Sequence, residues 1–273
     1  MIEVPYEFTP TINTIYPHGN LIIFEDWVFH TNAPSTNRQY LPIQWTAYHV
    51  NNNYGNDVMA IKRLQEYVDS LPRDIKYWSI CQYDDSVCID FKDLDILLFS
   101  MSKKEGVEIP LLCMPHDFNF KGEKDIYASF IGTHTHPTRE HIFNIKDPNY
   151  YISDQPHSEN EFCHIIAASL FGLCPRGYGL NSFRIAECMQ YGTIPVYISD
   201  EFIGVFDANF EEYGVLIKSQ EAHRIPEILY SIPLEIVYEK QKKISEYYQK
   251  YYTYKGALEQ IIKHLDNENS SNT

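Results

Sequence analysis

The stretch LCPRGYGLNSFRIAECMQYGTIPVYISD, residues 173–200, decides the fold. An apolar run ends at Pro175. Gly177 and Gly179 then free the backbone to turn tightly or to approach a ligand. Asn181 or Ser182 is placed to cap a helix predicted over 182–191, and Gly192 closes it. Residues 194–198 read as the next buried strand. Strand, turn, helix and strand at this spacing form one unit of an α/β fold with a parallel sheet. The N–H groups at the helix start, with Arg176 and Arg184 nearby, make an anion site suited to a diphosphate. Glu187, further along the helix, can accept hydrogen bonds from two ribose hydroxyls. The same residues also fit a plain strand–loop–helix in which Arg184 and Glu187 form a surface pair at i, i+3.

The alternation extends outward. Strands are predicted over 126–132, 169–174 and 213–217, with a helix over 161–168 and another after 217. Helical segments follow over 234–252 and 256–265, and the polar tail from 266 frays. The N-terminal half mixes short strands and loops. Residues 21–24 read as a strand ending at Glu25-Asp26, and 77–82 and 95–99 as two more. A helix over 57–71 is capped by Asp57, striped by Val58, Ile61, Leu64, Val68 and Leu71, and stopped by Pro72. The Pro-bearing, partly charged stretch 103–124 is the expected linker. It separates domains at 1–118 and 119–273.

Composition sets limits. With 273 residues, 44% of them hydrophobic and 22% charged, the chain is globular, with one large or two small domains. A net charge of −15 argues against a nucleic-acid partner bound through phosphates. No targeting segment is visible, and the longest mostly apolar stretch, 162–175, is broken by His164 and Ser169. It falls short of the roughly 18 residues of a membrane span. The six cysteines contain no CxxC and read as reduced thiols of a cytoplasmic protein, with no zinc site. The 22 tyrosines serve interior packing, or sugar and nucleotide contact.

The central stretch closely resembles the signature of the exostosin-like glycosyltransferases, glycosyltransferase family 47. Their pattern runs CPRG, a variable turn, S-x-R-x-x-E-A, G-x-I-P-V and S-D. Here Cys174, Pro175, Arg176 and Gly177 are followed by Ser182, Arg184 and Glu187. Gly192, Ile194, Pro195 and Val196 come next, then Ser199 and Asp200. Cys188 stands where the family usually has Ala. Ser129 to Gly132, followed by His136 and Arg139, resembles the family's F-x-G…R segment. Residues 64–67 and 77–85 resemble its N-terminal elements, and 212–262 its C-terminal helices. Many members carry a membrane anchor and stem that this chain does not, so it reads as a short soluble version, microbial or viral, the latter placing it in a host cytoplasm.

The resemblance implies a GT-B fold, two Rossmann-like domains facing across a cleft. The C-terminal domain holds the nucleotide-sugar, the N-terminal domain holds the acceptor, and the last helices, about 234–265, return toward the N-terminal domain. It implies an inverting transfer from a UDP-sugar to a hydroxyl of a glycan acceptor, with no cofactor and no metal required. The phosphate cradle falls on Arg139, Arg176 and the helix start at Asn181, Ser182 and Phe183. Gly177, Tyr178, Gly179 and Arg184 line it, Glu187 takes the ribose, and the segment 151–153, through Ser153, reads the uracil.

Inversion needs a base in the N-terminal domain. Asp85 ranks first, because it follows the apolar strand 77–82 in a segment resembling the family's strand-end His-Asp element. Glu25 is next. Asp26, His49 and Asp84 are the other places to look, and any of these acids also suits an ordinary turn or cap. Trp27, Trp45, Tyr48 and 51–54 are acceptor contacts or packing. The acidic chain has few spare cations for a sugar carboxylate, so the expected donor sugar is neutral, xylose first and galactose second. Two rival classes remain. One is a GT-B module that binds nucleotide or sugar without turnover. The other is a metal-dependent hydrolase on His134, His136 and Asp154.

Overall fold

Tyr77–Cys81 is buried at all five positions, the pattern of a strand covered on both faces of a parallel sheet. The computed structural model describes residues 2–10, 23–31, 36–102 and 106–270. Two compact units are present, Met1–Ile109 with Tyr254–Thr273, and Pro110–Thr253. The division falls at 109/110, ahead of the expected 118.

The first unit contains α1 (Phe24–His30), β1 (Gln39–Tyr40), α2 (Trp45–Asn51), α3 (Val58–Asp69), β2 (Tyr77–Cys81), β3 (Ile96–Ser100) and β4 (Val107–Glu108). Its strands pair in parallel in the order β1-β2-β3-β4. Trp45 Nε1 donates to Ser79 Oγ at 2.8 Å, and Ser79 donates on to the Leu41 carbonyl at 2.8 Å. The buried indole thereby satisfies its one polar atom.

Two expectations change here. Of the strand expected over 21–24, Leu21 and Ile22 lie outside the described residues, and Phe24 opens a helix instead. Phe24 and Val28, one turn apart, are both buried, while Glu25 and Asp26 sit in the first turn, where the helix dipole favours acids. In α3, Asp57 caps as expected by accepting from Met59 N and Ala60 N. Val58, expected in the apolar stripe, is exposed, and Ala60 takes its place beside Leu64 and Val68.

The second unit runs β5 (Ile126–Ile131), α4 (Pro137–Phe143), β6 (Tyr150–Ser153), α5 (Glu159–Ala167), β7 (Ser169–Pro175), α6 (Arg184–Gln190), β8 (Ile194–Ser199), β9 (Val215–Lys218), α7 (Ile225–Tyr230) and α8 (Leu234–Tyr247). The strands pair in parallel in the order β6-β5-β7-β8-β9. Ser158 and Glu161 form a capping box that starts α5. Gly172 is required by packing: a Cβ there would stand 2.1 Å from Cys188 Sγ, where α6 crosses β7. The unit boundary falls within the stretch expected as a linker, but part of that stretch is packed: Leu111 and Leu112 are buried and Gln190 clamps the main chain of His116.

The last helix, α9 (Tyr254–Ser270), belongs to the first unit, whereas α8 stays in the second. Two α/β units, each on a parallel sheet, agree with the GT-B class expected above. Among the described residues no helix is long and apolar enough to cross a membrane.

Candidate functional site

The strand order of the second unit reverses at β5. The chain leaves β5 for β6 on one side and returns to β7 on the other. Parallel α/β sheets bind ligands outside the carboxyl ends of their strands at such a switch point. The loops that leave β5 and β7 there are 132–136 and 176–183, and the second is the glycine-bearing signature turn.

Arg139 stitches the two loops together. Its Nε donates to the Arg176 carbonyl at 3.0 Å and its terminal nitrogens to Thr133 O at 3.0 Å and Pro175 O at 3.4 Å. The guanidinium lies 5.6 Å from the Phe130 ring centroid. Burial, and then the Arg184 charge, push it down to about 10, so it remains a cation near neutrality. Gly177 lets the backbone pass close to it: a Cβ there would meet Arg139 at 3.4 Å and Thr135 Oγ1 at 3.8 Å.

Arg176 pairs with Asp200 at the end of β8 and donates to Tyr178 O at 2.9 Å. Its Nε is buried and has no hydrogen-bond partner among the described residues. A buried donor in that state calls for an acceptor. Lys218, at the end of β9, donates to Asp200 O at 2.8 Å. Four cations, Arg139, Arg176, Arg184 and Lys218, thus gather at the strand ends of a chain whose net charge is −15.

The rest of the signature turn is held from below. Leu180 O accepts from Tyr197 OH at 2.9 Å and Ser199 Oγ at 3.0 Å. Gly179 is half-buried and Tyr178 is exposed at the tip. Asn181 and Ser182 are buried, and neither caps α6. Asn181 Oδ1 instead accepts from Ser182 N at 2.8 Å, and the N-cap is Phe183, with no side-chain cap bond. The expected cap is therefore corrected to a local turn that delays the helix to Arg184.

Arg184 reaches from α6 to the end of β5, donating to Ile131 O, with Phe130 and Phe162 ring centroids 5.1 and 5.2 Å away. Glu187 is 1% exposed, so it is not the surface partner of Arg184. Its carboxylate stands 3.8 Å from Arg184 Nε and 3.5 Å from His116 Nε2. His116 comes from the expected linker and was not among the sequence candidates. The apolar run 109–114 was the available signal, since a solvated linker does not bury Leu111 and Leu112.

Ser153 ends β6. Its Oγ accepts from Gln155 N at 3.1 Å and its carbonyl from Gly132 N at 3.0 Å. His134 lies between Glu140 at 2.6 Å and Asp154 at 3.3 Å. His136 is used differently, as the N-cap of α4, accepting from Thr138 N. Burial first, and then Arg176, hold His136 below its ordinary value. Among the described residues no group of three His, Cys, Asp or Glu side chains is placed to hold a metal ion.

In the first unit, Glu25 is 1% exposed. It accepts from Thr46 N at 3.0 Å, Thr46 Oγ1 at 2.7 Å and Gln82 N. It ties α1 to the first turn of α2 and to the end of β2. Burial pushes it up to about 8 against the pull of those three donors. Asp85 is half-buried in the turn after β2, the strand-end position expected of it. His49 is fully buried, with Nε2 2.9 Å from Val87 O. Trp45 and Tyr48, offered as acceptor contacts, are buried in the core, whereas Asn53 and Tyr54 are exposed.

Residues 114–232 match the Exostosin GT47 domain. Over those residues the chain is similar to that family. The chain is 28% identical over 175 residues to an Exostosin-1 homolog of Caenorhabditis elegans, covering 55% of this chain and 45% of that protein. It is 37% identical over 79 residues to a probable beta-1,4-xylosyltransferase of Arabidopsis thaliana, covering 28% and 19%. The chain spans less than half the length of these curated relatives. Among solved structures it is similar to TarM, with a TM-score of 0.44, 10% identity, and coverage of 76% of this chain and 46% of that one.

Proposed function

We propose that this exostosin-like chain transfers a sugar from a UDP-sugar to a hydroxyl of a glycan acceptor with inversion at the anomeric carbon. The observation that carries the reading is the gathering of Arg139, Arg176, Arg184 and Lys218 around the ends of β5, β7, β8 and β9 at the switch point of the sheet. A departing diphosphate is the anion that such a site stabilises, through charge-assisted hydrogen bonds already in place before reaction. Arg139 and Arg176 take the phosphates, Tyr178 and the backbone of 177–183 line the site, Glu187 takes the ribose and the Ser153 segment meets the base. No metal is assigned to this site.

Asp85 is the proposed proton acceptor. Glu25 is a poorer choice, because its oxygens are already committed to three donors that hold two helices and a strand together. The proposed donor sugar is neutral, xylose ahead of galactose. Arg139 and Arg176 are assigned to the phosphates and Arg184 faces Glu187, so few cations of this acidic chain are left for a sugar carboxylate. Binding without turnover is the second reading, and the structural commitment of Glu25 is the observation in its favour. A UDP-release assay over UDP-xylose, UDP-galactose and UDP-glucuronate, with EDTA and a glycan acceptor panel, decides. Release from UDP-xylose in EDTA is expected. Binding of UDP with no release from any donor supports the second reading.

A further inference from the structure

We propose that His116 is a positioning residue of the donor site, holding the Glu187 carboxylate in the orientation in which it meets the ribose hydroxyls. The inference rests on the donor-site reading above and extends that site into a segment outside the signature. The main chain of His116 is fixed independently of its ring. His116 N–H donates to Gln190 Oε1 at 3.0 Å, and Gln190 Nε2 donates back to His116 O at 2.6 Å. Gln190 is the last residue of α6, so the segment is docked on the signature helix by its backbone alone.

The ring does something further. Nδ1 lies 2.8 Å from Glu159 Oε1 on α5, and Nε2 lies 3.5 Å from Glu187 Oε1 on α6. One imidazole thus bridges two carboxylates on two helices, with the Phe162 ring 5.8 Å away. Glu187 is the buried member of that trio, and a buried carboxylate is costly unless cations face it. His116 is on one oxygen and Arg184 on the other. The imidazole and the guanidinium flank the carboxylate on its two oxygens and so set its plane, and a vicinal diol requires that plane to be fixed.

The charged groups around the ring support this role. Glu187 first, and also Glu159, raise the imidazole above its ordinary value, against burial, while Arg184 is the cation across Glu187. Burial pushes the neighbouring thiols Cys113 and Cys163 up, and they stay neutral. With Glu187 ionised, the hold loosens as pH rises through the raised His116 value.

The test is calorimetric titration of the full chain with UDP and with 2′,3′-dideoxy-UDP. The wild type is expected to prefer UDP by roughly tenfold or more, as hydrogen bonds to a charged acceptor imply. His116→Ala is expected to bring that ratio to within about twofold while leaving dideoxy-UDP affinity unchanged, because only ribose-directed hydrogen bonds are lost. His116→Gln, which keeps an N–H donor, recovers part of the ratio. If His116→Ala does not fold, Glu159→Gln, on the exposed side of the ring, lowers the ratio by a smaller amount. A variant that weakens both ligands equally, or keeps the wild-type ratio, overturns the positioning role and leaves the donor site standing. A wild type that binds both ligands alike overturns the assignment of Glu187 itself.

Discussion

Arg139→Met removes the stitch between the loops after β5 and β7. Two of its three carbonyl bonds are 3.0 Å long and the third is 3.4 Å. A hydrogen bond from a charged donor contributes about 1.5–3 kcal/mol, so the two short ones make a gross loss of roughly 3–6 kcal/mol. Part of that returns, because the partly buried cation no longer has to be desolvated and a methionine still covers Phe130. The expected net destabilisation is about 2–4 kcal/mol. At roughly 2–4 °C per kcal/mol for a domain of this size, the melting temperature falls by about 5–15 °C. Arg139→Lys keeps the charge but offers a point donor in place of a fork, and should fall between the two. Differential scanning calorimetry reads both variants. An Arg139→Met protein that melts within about 1 °C of the parent would refute the stitch, since the bonds named above would then contribute nothing net.

Three further outcomes follow from other parts of the molecule. Gly172→Ala should cost about 1–3 kcal/mol by forcing a Cβ onto Cys188 Sγ, and adding Cys188→Ala should recover most of it; additive effects in urea titrations would contradict the contact. Burial pushes His49 down to about 4, below its ordinary 6.5. Its contribution is therefore full above pH 6.5 and is lost as pH falls toward 4, about 3 kcal/mol in all. His49→Gln should flatten that acid limb, and an unchanged limb would sink the assignment. Asp85→Asn should lower transfer by about 10²–10⁴-fold with UDP affinity kept, and full activity in that variant moves the base elsewhere.

The second unit was the more legible half. β5 and β7 are apolar runs closed by Gly132 and Pro175, and α5 carries its own capping box, so period and punctuation agree there, whereas α4 and the short β6 went unpredicted. The first unit was harder because tertiary partners decide its short elements. Phe24 begins a helix whose acidic first turn is spent on holding α2 and β2, and nothing local to residues 21–26 announces a partner at Thr46 or Gln82. The site was legible as residue types but not as roles. Arg139, Arg176, Gly177 and Tyr178 do gather at the switch point. Asn181 and Ser182 do not cap, because the asparagine satisfies its own neighbour. Glu187 is turned inward to a histidine 71 positions earlier in the chain, a contact that no short motif encodes. Trp45 and Tyr48 look the same in sequence whether they line a sugar site or fill a core, and here they fill the core.

Hydrogen exchange of the full chain with and without saturating UDP tests the central claim most directly. Slowed exchange is expected in 132–139 and 176–184, the loops at the ends of β5 and β7, with a smaller effect around 151–155 and none confined to the first unit's sheet. Protection restricted to residues 39–108, or no protection anywhere at a UDP concentration that saturates binding, would contradict a donor site at the β5/β7 switch point.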